Sequence, residues 1–130
     1  MSAHDPARER TPAELAAIER LTELCAPLPE VTMARDGFGH TVFKVGARSI
    51  VILGDGGRAD GAFMSINVDR ETQRFLIEHA GFQRTPYIGQ HGWSSIDVDD
   101  TVDWNHIAEL VRAAYRRVAP KRLVKRLSPE

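Results

Sequence analysis

The chain has 130 residues, 42% of them hydrophobic and 27% charged, with a net charge of −1. That size and composition fit one domain with its own core and exclude disorder or a collagen repeat. The near-neutral balance gives no global basicity, the single cysteine forbids an internal disulfide, and no apolar run approaches the ~20 residues of a membrane span, so a protein of the cytoplasm is expected.

Residues 1–10 are polar and charged, without the apolar core of a signal segment, and read as a flexible tail. Thr11-Pro12-Ala13-Glu14 then has the form of a capping box with proline in the first turn, so a helix begins there. Leu15, Ile18, Leu21 and Cys25 fall on one face of it, and Pro27 and Pro29 end it. Cys25 at the end of that stripe is expected in the core. From Val31 the period changes to two, predicting strands over 31–34, 41–45, 49–53 and 62–68, with Gly46-Ala47 closing a hairpin.

Asp69 is placed to cap a helix running to about Ala80, with Phe75, Leu76 and His79 on one side and Gly81 as its terminator. A loop through Pro86 and Gly89 leads to a strand from Trp93 to Val98. Asp103 then caps a last helix whose stripe is Trp104, Ile107, Ala108, Val111, Ala114, Tyr115 and Val118, before Pro120. The order αββββαβα predicts an α+β fold of two layers, with one antiparallel sheet of about five strands and three helices, over residues 11–127 and a short tail at 128–130.

Few residues suggest chemistry. Gly37-Phe38-Gly39 lacks the third glycine and the following helix of a dinucleotide site, and Gly54 to Gly57 lacks the Lys-Ser/Thr pair of a phosphate loop. Asp97, Asp99, Asp100 and Asp103 do not have calcium-loop spacing and suit a helix start instead. None of the five histidines forms an i, i+4 pair. No nucleophile, base and orienting group can be named together, so no enzyme, cofactor or metal is expected. Trp93, alternating away from Ile96 and Val98, together with His91 and Tyr87, offers a platform for a small ligand or a partner protein.

The charge distribution is more telling. Arg112, Arg116, Arg117, Lys121, Arg122, Lys125 and Arg126 put seven cations and no acid into residues 112–126, leaving −8 on the rest of the chain. Such a segment suits phosphate contacts, and Lys44, Arg48 and Arg58 are the cations near the predicted hairpins.

Pro29-Glu30-Val31 after the first helix, Phe43-Lys44-Val45-Gly46, the loop Tyr87-Ile88-Gly89-Gln90-His91-Gly92-Trp93, and the run from Ala114-Tyr115-Arg116-Arg117 to Ala119-Pro120-Lys121-Arg122-Leu123 resemble the MmcQ/YjbR family. The resemblance implies a compact two-layer α+β domain that binds DNA through a "double wing" sheet motif. The two functional expectations are therefore a largely sequence-independent DNA binder using the basic C-terminus and the hairpins, and a non-enzymatic ligand- or protein-interaction module on the sheet face around Trp93.

Overall fold

The computed structural model describes residues 7–127; the tail expected at 128–130 lies outside the described residues, as do residues 1–6. Helix α1 (Pro12–Cys25) starts in the predicted capping box, with the Thr11 side chain accepting the Glu14 N–H at 3.0 Å and Glu14 accepting the Thr11 N–H at 2.8 Å. Strands β1 (Val31–Arg35), β2 (Thr41–Val45), β3 (Arg48–Gly54) and β4 (Phe63–Asn67) follow, then α2 (Arg70–His79), β5 (Gln83–Arg84), a 3-10 turn (Gly89–His91), β6 (Trp93–Asp97), α3 (Trp104–Val118) and α4 (Lys121–Val124). The sheet order is β1-β2-β3-β4-β6-β5, antiparallel throughout. The α+β sheet with packed helices is as expected, but it has six strands rather than five, and α4 is an additional helix. β5 is two exposed residues without an apolar side chain, so no alternation could reveal it.

One core cluster unites the helices with one face of the sheet: Leu21 of α1, Phe43, Val51, Leu53, Met64 and Ile66 of the strands, Leu76 of α2, and Ile107, Val111 and Tyr115 of α3. Leu110, outside the predicted stripe, is buried on α3, whereas Trp104 and Ala108 are only half-buried. Trp104 instead lies beneath Arg20, whose guanidinium stands 5.5 Å from the ring centroid. The opposite face carries the cross-strand row Ala34, Val42, Ile52, Ser65 and Ser95, where the Ser65 and Ser95 hydroxyls meet at 2.8 Å.

Three expectations are corrected. The face of α1 that packs is Glu14, Ala17, Leu21 and Cys25, so Leu15 is 52% exposed. The inward residues of α2 are Gln73 and Leu76, and Phe75 and His79 stand in solvent with their rings 5.2 Å apart. Finally, the segment expected to be a tail up to residue 10 is tied down at Arg8, which is buried against Glu14 in a two-pronged ion pair of 2.7 and 2.8 Å. Among the described residues, no helix is long and apolar enough to cross a membrane.

Cys25 is 6% exposed, and burial pushes its thiol up to about 11 from an ordinary 9.0. Its reaction with a thiol reagent at neutral pH is expected to be limited by unfolding, which labelling with and without urea checks. Between about pH 9 and 11 the native thiol keeps a proton that the unfolded chain loses, so this group lowers stability as pH rises through that window and is neutral below it.

Candidate nucleic-acid interface at one end of the sheet

Antiparallel pairing sorts every connection to one of two ends of the sheet. At one end lie the β1–β2 turn at 36–40, the β3–β4 loop at 55–62 and the segment after Asp97. It holds Asp36, Asp55, Asp60, Asp97, Asp99 and Asp100, more acids than the cations Arg8, Arg10, Arg35 and Arg58 found there, of which Arg8 is paired with Glu14. At the other end lie the start of β1, the β2–β3 turn, the end of β4 with the start of α2, and the turn that enters β6. The C-terminal end of α3 reaches this second end, because Arg117 Nε donates to Asn67 Oδ1 at 2.9 Å.

A cleft of about 540 Å3 opens there. Its walls carry Arg48, Asn67, Arg70, Gln90, His91 and Arg117, with Gln73, Gly92 and Val118 beneath. Each cation comes from a different element for a local reason. Arg48 is the first residue of β3, just past the Gly46-Ala47 turn. Arg70 follows Asp69, whose side chain caps α2 by accepting the Thr72 N–H at 2.7 Å. That hydrogen bond holds the Asp69 carboxyl below the usual carboxylate range, with a smaller contribution from Arg117. Gln73, buried on the inward face of α2, donates from Nε2 to the Gly89 carbonyl at 2.9 Å and the Trp93 carbonyl at 3.1 Å, which fixes the loop presenting Gln90 and His91.

The other predicted cations divide. Leu123 is 1% exposed in the core, so the basic C-terminal segment is anchored as α4 rather than fraying. Tyr115, fully buried, donates its hydroxyl to the Pro29 carbonyl at 2.8 Å, bringing the end of α3 to the start of β1. Glu30 there receives both Arg122 (3.3 Å) and Arg126 (3.6 Å). These exposed pairs are worth little, but they reduce the free charge of α4 and place it at the cationic end. Arg116, Lys121 and Lys125 are exposed. Lys44 is half-buried two residues before the β2–β3 turn, and Arg112 is half-buried within α3.

Arg58 does not join them. Its Nη2 donates to Asp97 Oδ1 at 3.3 Å and to the Ala62 carbonyl at 3.1 Å, at the acidic end. The platform expected around Trp93 is also corrected. β6 begins at Trp93, on the face away from Ile96 as alternation requires, yet the ring is only 8% exposed and offers no surface for stacking. Tyr87 is 94% exposed in a backbone of φ 69° and does not line the cleft, so of the three platform residues only His91 reaches it.

Arg70, Asn67, Gln73 and Gln90 are the residues that sequence reasoning passed over. The one local signal is Gln73, a polar side chain on the inward face of a helix that must find buried partners.

No curated protein shows a significant match to the chain. The model of the YjbR family matches residues 26–117, which takes in the cleft from Arg48 to Arg117 and ends before α4. With most of its length inside that match, the chain belongs to the YjbR family.

Proposed function

We propose that this protein is a non-enzymatic, cytoplasmic DNA binder that holds the phosphate backbone, with little regard to sequence, at the cationic end of its sheet. The observation that supports this reading most is the convergence of Arg48, Arg70 and Arg117, from three separate elements, on one cleft at the end of the sheet to which Glu30 also ties α4. Guanidinium groups suit phosphate because they donate through a planar fork. The carboxylates at the far end repel the duplex and orient its approach, so a chain with net charge −1 still presents one attractive pole. Burial of Trp93 counts against the sheet-face interaction module.

Fluorescence anisotropy with a short duplex tests this. About four phosphate contacts predict a loss of roughly a hundredfold in affinity between 50 and 200 mM salt. Arg48→Gln with Arg117→Gln should weaken binding across unrelated sequences and lower the salt slope by about two. Arg58→Gln, at the opposite end, should leave both unchanged. Absence of binding at 50 mM salt, or equal effects of the two sets of substitutions, contradicts the reading.

A further inference from the structure

We propose that the cleft between the β2–β3 turn, α2 and α3 is a site for a terminal phosphate monoester, with Arg48, Arg70 and Arg117 as its cationic ligands. The inference deepens the DNA reading and rests on it only for one of two sources of that phosphate, the 5′ end of a strand; the other source is a small phosphorylated molecule.

The charge balance favours a terminal group over a backbone phosphodiester. Three guanidiniums and no carboxylate line the cleft, and Asp69, which interacts with Arg117 from outside the lining, is engaged by the Thr72 N–H. About two positive charges are therefore left for a ligand. A phosphodiester carries one negative charge, whereas a terminal phosphate carries roughly −1.5 to −2 with three strong acceptor oxygens. Approach from three elements also matches three oxygens better than two.

The neutral lining agrees. Asn67 Oδ1 is occupied by Arg117, which leaves the Asn67 amide nitrogen as a donor, and Gln90 and His91 add polar groups from a loop held in place by Gln73. Arg117 is likewise fixed by that bond, so little ordering is needed when an anion enters. Val118 is the sole aliphatic side chain of the lining, and no aromatic ring other than His91 contributes to it. Such a site reads the phosphate and gives a base or a lipid tail nothing to pack against.

The test uses the whole chain, with inorganic phosphate as the first probe and one short duplex carrying either a 5′-phosphate or a 5′-hydroxyl as the second. At constant ionic strength, phosphate should perturb the backbone amides of Arg48, Arg70 and Gln90 to Gly92. Arg48→Gln and Arg70→Gln, both at exposed positions, should each weaken phosphate about tenfold, and Arg58→Gln should not. Preference for the 5′-phosphorylated duplex assigns the strand end as source. Phosphate binding without that preference keeps the site and assigns a small molecule. If phosphate binds while duplex DNA does not bind at all, the DNA reading fails and the site stands. If duplex binds but phosphate leaves the cleft amides unmoved, the site is overturned and the DNA reading stands.

Discussion

Gly92→Ala should destabilise the protein by about 3 kcal/mol or more, roughly 10 °C in the midpoint of thermal unfolding. Gly92 ends the 3-10 turn at φ 95°, where a side chain is strained. A Cβ there also falls far inside contact distance of the Val68 carbonyl oxygen, which is backbone and cannot rotate away. Separating the two segments would break the hydrogen bond from Val68 N–H to the Gly92 carbonyl, 3.1 Å, which closes the β4–β6 ladder at this end. Because Gly92 also lies beneath the cleft, any surviving folded variant should bind phosphate less well. A melting point within 2 °C of the parent would show that the turn relaxes easily and that the cleft floor is not rigid.

The second large effect concerns the ion pair at the opposite end. Glu14→Ala is expected to cost about 3 to 5 kcal/mol, since it strands the Arg8 guanidinium in a buried site and removes half of the capping box. Arg8 also donates to the Gly39 carbonyl at 3.1 Å and stands 3.7 Å from Asp55, so it ties the chain before α1 to two turns of the sheet. The hydrogen bond to Glu14 is the main reason its pKa is held above the ordinary arginine value despite burial. Replacing both partners with leucine should cost far less than Glu14→Ala alone, because no uncompensated charge remains. Urea denaturation of the three proteins measures it, and a double variant as unstable as the single one would contradict the argument.

The same pair shows why sequence patterning misplaced the face of α1. Leu15, Ile18, Leu21 and Cys25 satisfy helical spacing, but the true inward row begins at Glu14, and no apolar pattern assigns a carboxylate to a core. The Arg8 guanidinium, together with the Thr11 N–H, makes that burial tolerable, and Arg8 lies in a segment whose composition resembles a tail. Features with a local cause were readable: the Thr11 box, the Asp69 and Asp103 caps, the Gly46 turn, and the strands of the meander. α4 was hidden because a single buried residue, Leu123, anchors it among cations.

The interface was readable in composition but not in place. The dense cationic run at 112–126 attracts attention, yet Arg122 and Arg126 spend charge on Glu30, and Arg58 spends its own on Asp97. Arg70 is a lone arginine at a helix start, unremarkable until the register of β4 and β6 sets it beside Arg48 and Arg117. Convergence of residues distant in the chain is a property of the topology, which single-sequence periodicity does not specify.

The most direct test of the account is an amide chemical-shift titration of the folded chain with a short duplex at 50 mM salt. Perturbations are expected to be confined to the β2–β3 turn near Arg48, the start of α2 at Arg70, the 90–92 turn, and the chain from Arg117 through α4. Shifts centred on the Asp36–His40 turn, or on Arg58 and Asp97, would place DNA at the acidic end and contradict it.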